Sequence, residues 1–342
     1  MRSMRHMSLQ KDRGWLFIKG KAGVDMESIS PMIVLTGPTA VGKTRLSIAL
    51  AKAVNGEILS ADSMQVYRYM DIGSAKITIE EMQGIPHHMI DILDPWESFN
   101  VVVFKQKCEK CLTDIYERGH IPIVTGGTGF YIQALLKDIN FTENEENSDY
   151  RNYLEQLARD KGSEHLHKML AQVDPVSAEA IHANNIKRTI RALEFYYLTG
   201  DPISNHNHQE RQKSSAYQSC YFVLNDDRHR LYRRIEQRVD EMLEHGLVEE
   251  VKRLREMGCR RDMVSMQGLG YKELLAFLEG ETTYEEAVSL IKLNTRHFAK
   301  RQLTWFRREQ DVIWVNKNEF DYDEQRILEY MLTELVEKGI SR

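Results

Sequence analysis

The octapeptide GPTAVGKT, at residues 37–44, constrains the fold of this chain more than any other feature. It follows the apolar run Met32–Leu35 and precedes the helix-like run RLSIALA. A strand, a glycine loop and a helix in this order are the setting in which the pattern G-x-x-x-x-G-K-[ST] cradles phosphates. Gly37 and Gly42 let backbone N–H groups converge on an anion, and the helix N-terminus adds unpaired donors. The sequence therefore predicts a site for a diphosphate or polyphosphate, without deciding the reaction.

Lys43 and Thr44 supply the side-chain chemistry of this loop. The Lys43 ammonium suits a terminal phosphate, and the Thr44 hydroxyl suits Mg²⁺. An enzyme of this loop class that hydrolyses ATP should also carry an apolar strand ending in an acidic residue that supports the metal. The apolar run Ile121–Val124 ends instead in TGG. The pattern therefore favours a diphosphate that acts as a leaving group over ATP hydrolysis.

Strand-like and helix-like runs alternate through the first 137 residues. After the first strand and helix come a strand at Glu57–Ser60, a helix at Val101–Arg118 and a strand at Ile121–Val124. This alternation predicts a parallel sheet covered on both faces, in which ligands bind at the carboxyl ends of the strands. Three special segments fall at those ends, and we expect them to converge on one crevice: the phosphate loop, Asp62–Gln65 and Gly126–Gly129.

The remaining sequence is mostly helical in pattern. Helices are expected at about 150–160, 164–172 and 185–199, a polar loop at 205–215, a strand at 219–224, helices at about 228–257, 271–279 and 284–308, a strand at 312–315 and a tail helix. The predicted fold class is α/β, a P-loop NTPase-like parallel sheet flanked by helices, with a helical insertion domain and a helical C-terminal part. Its predicted parts are a flexible N-terminal extension at 1–30, a catalytic core at 31–140 and 216–342, and a helical insertion at 141–215.

The composition is that of a soluble intracellular protein. Charged residues make up 28% and hydrophobic residues 42% of the chain, and no apolar run approaches the ~20 residues of a membrane span. The N-terminal apolar stretch Trp15–Ile18 is too short for a signal peptide. Four cysteines without a disulfide pattern indicate a reducing compartment, and Cys108 and Cys111 are interpreted as helix residues one turn apart. We expect a cytoplasmic monomer without membrane contact.

Basic residues are clustered, although the formal net charge is −5. Three groups stand out: Arg230, Arg234 and Arg238; Lys292, Arg296 and Lys300; and Lys187, Arg188 and Arg191. A solvated helix face is the usual explanation for the arginines four residues apart. The alternative is that one of them reaches the crevice and clamps a phosphate. Three such groups together favour a polyanionic partner such as nucleic acid.

Asp62 stands directly after the second strand. A carboxylate there could hold Mg²⁺ or accept a proton from a nucleophile, and a turn or helix-cap aspartate is the alternative. The neighbouring Ser63 and Gln65 can hydrogen-bond a base edge, with glutamine suited to adenine.

Seven motifs occur in order between about Met32 and Val315. They are GPTAVGKT, ADSMQVYRYMDIGSAK, VTGGTGFYIQALL, IKRTIRALEFY, RRIEQRVDEML, QGLGYKEL and AKRQLTWFRRE. Together they resemble the tRNA dimethylallyltransferase (isopentenyltransferase) family. The sequence shows no C-terminal zinc-finger pattern of the kind typical of eukaryotic relatives, so it is similar to the bacterial form.

The resemblance implies transfer of a dimethylallyl group from its diphosphate to N6 of the adenine just 3′ of the tRNA anticodon, with release of diphosphate. It implies Asp62 as general base, Arg238 and Lys43 as the charges that neutralise the diphosphate, and Mg²⁺ at Thr44. The implied donor-binding residues are Gly37, Thr39, Ala40, Val41, Gly42, Lys43 and Thr44. The implied contacts to the anticodon stem-loop are Asp62, Ser63, Met64, Gln65, Thr128, Arg151, Lys187, Arg188, Arg191, Gln267, Lys272, Lys300, Arg301, Gln302 and Arg307. Lys187 stands where bacterial members often carry glutamine.

Three other functions are compatible with parts of the sequence. A related enzyme would transfer the prenyl group to free AMP, ADP or ATP, although such an acceptor needs no basic insertion. The phosphate loop alone also permits a nucleoside or small-molecule kinase, and a non-catalytic tRNA-binding protein.

Overall fold

A computed structural model of the chain describes residues 30–141 and 149–341. The predicted N-terminal extension and the acidic stretch at 142–148 lie outside these residues. The described residues divide into two compact units. The first contains the sheet and ends at Ile132, resuming at Tyr217, and the second spans Gln133–Ala216.

One parallel sheet of six strands is formed by the described residues of the first unit. The strands are β1 (Pro31–Thr36), β2 (Gly56–Ser60), β3 (His87–His88), β4 (Ile121–Gly126), β5 (Gln218–Asn225) and β6 (Val312–Asn316). Their spatial order is β3-β2-β4-β1-β5-β6, with every neighbouring pair parallel. β1 lies near the centre, where Ile33 pairs with Ile123 on one side and Cys220 on the other. The predicted α/β class with a parallel sheet is confirmed.

Helices connect and cover these strands. They are α1 (Lys43–Val54), α2 (Ile79–Met82), α3 (Val101–Glu117), α4 (Gly129–Leu136), α5 (Asp149–Lys161), α6 (Ser163–Val173), α7 (Pro175–Ala180), α8 (Ile186–Thr199), α9 (Ile203–Gln212), α10 (Arg228–Glu244), α11 (Leu247–Glu256), α12 (Tyr271–Leu278), α13 (Tyr284–Phe306) and α14 (Glu324–Glu337). β1 is buried from Met32 to Thr36, and Met32–Leu35 is a continuous apolar run rather than an alternating one, as in a strand covered on both faces. Leu46 and Leu50 on α1 and Ile235 on α10 belong to the core beside it.

The prediction of a single helix at about 228–257 is wrong, because the structure has two helices there. α10 ends at Glu244, and α11 begins after Gly246, whose φ of 95° lies in the left-handed region. Only glycine adopts this conformation without steric cost, so it changes the direction of the chain between two amphipathic runs. The break places Glu250 in the first turn of a new helix.

The second unit has its own apolar core of leucines and isoleucines. Leu154, Leu166, Leu170, Ile190 and Leu193 are each at most 4% exposed. The prediction of a polar loop at 205–215 is wrong over most of its length, because α9 covers Ile203–Gln212. Tertiary contacts explain this helix in a polar sequence: the Asp174 carboxylate accepts from the Ser204 N–H at 3.0 Å, and Phe195 packs on His206.

Cys108 and Cys111 both lie on α3, as predicted, and all four cysteines are free thiols. Burial raises the pKa of Cys108 and of Cys111, which disfavours the reactive thiolate form of both. Within residues 30–141 and 149–341, no helix has the length and apolar character needed to cross a membrane.

Candidate active site

The carboxyl ends of β1, β2 and β4 pack directly against one another. The Thr36 hydroxyl donates to the Gly126 carbonyl at 2.7 Å, and the Ala61 N–H donates to the Thr125 carbonyl at 2.8 Å. Gly126 has to be glycine here, because a Cβ would lie 2.4 Å from the Ala61 oxygen. The three segments that the sequence placed at strand ends are therefore brought together.

The phosphate loop is supported from several sides through its carbonyl groups. Lys43 Nζ donates to the carbonyls of Gly37 and Pro38 at 3.0 and 2.8 Å. Arg234 Nε donates to the Ala40 carbonyl at 2.8 Å, and the buried Lys317 donates to the Val41 carbonyl at 3.3 Å.

The remaining loop residues lie at the start of α1. Because α1 begins at Lys43, the first N–H groups of the helix have no partner within it and form the donor set of an anion site. Thr44 is exposed there.

Lys43, Arg238 and Asp62 form one electrostatically coupled group. The pKa of Lys43 is lowered to about 7, mainly by burial and also by the charge of Arg238, while the Asp62 carboxylate opposes both effects. Burial likewise lowers the pKa of Arg238, and Asp62 again opposes the shift. Two cations confined beside one carboxylate have an excess positive charge, so the site is arranged to accept an anion.

Asp62 holds its own turn with one oxygen. Its Oδ1 accepts from the Met64 N–H at 2.8 Å and from the Gln65 N–H at 3.4 Å. In the part of the chain that the structure describes, Oδ2 has no hydrogen-bond partner. The pKa of Tyr131 is raised to about 12 by burial and by the charge of Asp62, which places that ring near the carboxylate. Asp62 is therefore both a turn aspartate and a carboxylate with one available oxygen.

The Gln65 amide is engaged within the chain. Its Oε1 accepts from the Ser60 hydroxyl at 3.0 Å, and its Nε2 donates to the carbonyls of Ser74 and Ala75 at 3.4 and 3.3 Å. The neighbouring Met64 reaches the turn before α12, where a Cβ on Gly268 would lie 2.8 Å from its Cε. These bonds fix the orientation of the residues after β2.

Gln302 joins the phosphate loop to the glycine turn after β4. Its Oε1 accepts from the Thr39 N–H at 2.9 Å, and its Nε2 donates to the Gly127 carbonyl at 2.9 Å. The side chain is 6% exposed. Two residues after Gly127, Gly129 lies against the Trp305 ring, and a Cβ on Gly129 would lie 2.2 Å from that ring. Thr128, between these contacts, is partly buried.

The three arginines of α10 have three different environments. Arg230 stacks on the Tyr322 ring at 3.9 Å, Arg234 bonds to the phosphate loop, and Arg238 lies in the coupled group with Lys43. The stripe is therefore not a uniform solvated face, because Arg234 contacts the phosphate loop and Arg238 lies near Asp62.

The basic stripe on α13 is only partly available to a partner. Lys292 lies 2.6 Å from the Asp240 carboxylate, and Arg296 pairs with Glu236. Lys300, Arg301 and Arg307 are exposed, with Arg301 over the Phe298 ring. The stripe expected from the spacing is thus divided into an ion-paired half and an exposed half.

The other predicted tRNA contacts lie in two places. In the first unit, Gln267 is exposed and bonds to the Arg261 carbonyl, and Lys272 lies 3.6 Å from Glu273. In the second unit, Lys187, Arg188 and Arg191 are exposed on α8. Arg151 makes a bidentate pair with the buried Glu194 at 2.9 and 2.6 Å.

Several contributors to the site have no local signal in the sequence. Lys317 lies more than 270 positions after the loop that it contacts. Gln302 was named by the resemblance as a tRNA contact, but its hydrogen bond to Thr39, 263 positions earlier, was not predicted. Tyr131 lies in the motif VTGGTGFYIQALL but was not predicted as a site residue, and the buried Glu250 lies in none of the seven motifs.

The described residues contain no group of three or more histidine, cysteine, aspartate or glutamate side chains that could hold a metal ion. A Mg²⁺ ion is commonly bound through phosphate oxygens and water with few protein ligands. Thr44 at the loop is compatible with that mode of binding.

The fold and the site define a P-loop NTPase-like α/β protein that carries a carboxylate beside its phosphate loop. The family model described as IPP transferase matches residues 65–309, and one described as isopentenyl transferase matches residues 31–93. A tRNA dimethylallyltransferase of Lachnoclostridium phytofermentans is 60% identical over 91% of this chain and 99% of the relative. One of Carboxydothermus hydrogenoformans is 48% identical over 89% and 96%. The chain therefore belongs to the tRNA dimethylallyltransferase family and is a transferase.

Solved structures agree with this assignment. The tRNA isopentenylpyrophosphate transferase of Bacillus halodurans is 45% identical with a TM-score of 0.67, covering 91% of this chain and 98% of that one. A eukaryotic dimethylallyltransferase, solved while acting on tRNA, is 31% identical with a TM-score of 0.72, covering 84% and 74%.

Proposed function

We propose that the protein transfers a dimethylallyl group from dimethylallyl diphosphate to N6 of the adenine 3′-adjacent to the anticodon in tRNA, releasing diphosphate. The observation that carries this proposal is the electrostatic coupling of Lys43, Arg238 and Asp62. It supports the proposal because two cations suit a diphosphate and the neighbouring carboxylate suits a proton.

The diphosphate is the leaving group in this proposal. Negative charge develops on it as the bond to the allylic carbon breaks. Lys43, Arg238 and the N–H groups at the start of α1 are fixed before the reaction begins, so they stabilise that charge without reorganisation. Burial and the charge of Arg238 lower the pKa of Lys43, and a bound diphosphate would favour the protonated form of this amine.

The Asp62 carboxylate acts on the acceptor. The exocyclic amine of adenine is a weak nucleophile and has to lose a proton as the new C–N bond forms. Oδ1 of Asp62 is held by the Met64 N–H, so the available Oδ2 is the oxygen that takes the proton. Reaching N6 requires an unstacked base, and a single-stranded anticodon loop supplies one at lower cost than a duplex.

Mg²⁺ would be held by the Thr44 hydroxyl together with the donor's diphosphate. When bound, the ion would neutralise part of the charge that develops on the leaving group. Affinity for tRNA would come mainly from phosphate contacts of exposed basic residues, such as Lys300 and Arg307 on α13 and Lys187, Arg188 and Arg191 on α8.

The experiment that tests the proposal is an acceptor comparison. The protein is incubated with radiolabelled dimethylallyl diphosphate and either bulk tRNA, AMP, or ATP with a nucleoside. Label in a nuclease-released N6-dimethylallyladenosine from tRNA is the expected result. Label in AMP, phosphate transfer from ATP, or tRNA binding without label transfer would each replace the proposal with one of the alternative functions.

A further inference from the structure

Glu250 is a buried carboxylate that binds the backbone of the loop Asp71–Gly73. Its Oε2 accepts from the N–H groups of Asp71 and Ile72 at 2.9 and 2.8 Å, and its Oε1 accepts from the Gly73 N–H at 3.1 Å. The Tyr271 hydroxyl donates a fourth bond to Oε1 at 2.7 Å. Glu250 is 1% exposed, and a side chain so deeply buried is stable only when its oxygens are paired.

The loop that Glu250 holds has no regular secondary structure between Asp71 and Lys76. Ala75 adopts a φ of 48°, and Gly73 lies so close to Tyr271 that a Cβ would be 2.5 Å from the ring. Within the loop, the Ala75 and Lys76 N–H groups donate to the carbonyls of Ile72 and Asp71, but the N–H groups of residues 71–73 depend on an external acceptor. Glu250 accepts from three consecutive N–H groups and is the side chain placed to fix it.

The same loop determines the position of the residues that follow β2. The Gln65 amide donates to the carbonyls of Ser74 and Ala75, one and two residues beyond the segment bound by Glu250. The Gln65 backbone N–H in turn bonds to Oδ1 of Asp62. A continuous set of contacts therefore leads from Glu250 to the carboxylate of the proposed general base.

We infer that Glu250 is a positioning residue for the acceptor half of the reaction: it fixes the loop at 71–75, and through Gln65 it sets the orientation of Asp62. The catalytic role in this inference rests on the proposed function, whereas the contacts of Glu250 with the loop are independent of it. The donor half of the site is held separately, because Arg234, Lys317 and Gln302 support the phosphate loop. Loss of Glu250 should thus affect the acceptor step and spare diphosphate binding.

The test compares wild type with Glu250→Gln and Tyr271→Phe. Glutamine keeps the shape of Glu250 and turns an NH₂ group toward backbone donors, and phenylalanine removes one of the four bonds while keeping the ring beside Gly73. Hydrogen exchange by mass spectrometry should show amides 71–73 exchanging about tenfold faster or more in Glu250→Gln, with the peptide covering the phosphate loop unchanged. With tRNA as acceptor, kcat/KM should fall by about 10- to 100-fold, and Kd for inorganic diphosphate should stay within about twofold.

Glu57→Gln is the matched control. Glu57 is also a buried carboxylate, 2% exposed, but its partners are Arg118 and His88 rather than the loop. This variant should lose stability and keep both the exchange rate of amides 71–73 and kcat/KM per folded molecule. Tyr271→Phe should show the same pattern as Glu250→Gln with a smaller amplitude, so the inference is tested even where the glutamine variant does not fold.

Two results would overturn the inference. One is unchanged exchange at amides 71–73 in the variants, and the other is an equal loss of diphosphate affinity and tRNA turnover. A wild-type protein that does not prenylate tRNA would instead remove the proposed function, and the exchange measurement would still decide whether Glu250 holds the loop.

Discussion

Gln302 and Gly127, 175 residues apart in the chain, are joined by a hydrogen bond of 2.9 Å from Nε2 to the carbonyl oxygen. A Cβ on Gly127 would lie 2.1 Å from that nitrogen, so no other residue fits without displacing the glutamine. The contact also brings the Thr39 N–H to Oε1 of Gln302. The phosphate loop and the turn after β4 thus share one buried amide.

Gly127→Ala should destabilise the protein by about 1–3 kcal/mol, because the added methyl overpacks a buried contact. Urea unfolding measures the change. The matched variant is the double substitution with Gln302→Ala, which removes the group that the methyl strikes. Its cost should be smaller than the sum of the two single costs, and strict additivity would show that the two residues do not interact.

Diphosphate affinity should decrease as the pH rises above about 7. Burial and Arg238 lower the pKa of Lys43 to about 7, so in the free protein this amine loses its proton above that pH and must regain it when an anion binds. Calorimetry in two buffers of different ionisation enthalpy should show proton uptake at pH 8. Lys43→Met removes this component and leaves only the titration of diphosphate itself, so identical pH profiles for both proteins would contradict the prediction.

The lowered pKa of Lys43 should make the free energy of unfolding increase with pH, whereas diphosphate affinity should decrease. The folded protein holds Lys43 with a pKa below its ordinary value of 10.5, so the unfolded chain binds more protons between about pH 7 and 10.5. The contribution of this group to the free energy of unfolding therefore rises through that window. The difference between wild type and Lys43→Met in urea midpoints at pH 7 and pH 9 measures it.

Asp62→Asn should lower turnover by about 10²–10⁴-fold while leaving tRNA affinity largely intact, the usual scale for loss of a general base. Asparagine keeps an Oδ1 acceptor for the Met64 N–H, so the turn is preserved. Asp62→Ala removes both functions and should be at least as slow. Single-turnover label transfer is the measurement, and full activity in the asparagine variant would exclude Asp62 from the chemistry.

Lys300→Ala and Arg307→Ala should each weaken tRNA binding and make its salt dependence shallower by about 0.7–0.9 in the slope of log K against log salt. Both side chains are exposed. Lys292→Ala is the control, because its Nζ is already paired with Asp240 at 2.6 Å. Filter binding between 50 and 200 mM salt gives the slopes. Equal slopes for all proteins would place Lys300 and Arg307 outside the interface.

Glu57 should make the protein sensitive to acid. Burial by itself would raise the pKa of Glu57, but hydrogen bonds from Arg118 and His88 outweigh it and lower the pKa below the ordinary 4.5. A lowered carboxyl pKa contributes stability above the unfolded value and loses it as the pH falls through the folded value. Glu57→Gln should therefore narrow the difference in urea midpoint between pH 7 and pH 4 relative to wild type.

The amino-acid sequence by itself was sufficient for the local framework of the fold. Strand-like runs at 32–36, 57–60 and 121–124 predicted three strands. The motif GPTAVGKT predicted a loop followed by a helix, which begins at Lys43. Each of these features depends on neighbours within a few residues. The same local signals failed where distant contacts decide, as at α9, which is a helix partly because Asp174 binds its first turn.

The sequence predicted that the phosphate loop and Asp62–Gln65 converge on one crevice, and tertiary structure decided which polar side chains there contact one another. Lys43, Asp62 and Arg238 come from three separate elements, and no spacing in the chain shows that their charges interact. No spacing shows either that Gln302 on α13 binds the phosphate loop, or that Glu250 on α11 binds the loop at 71–73. Strand order and the turn at Gly246 set these distances, because the energy of a hydrogen bond or ion pair depends on the separation of atoms in space and not on their separation along the chain.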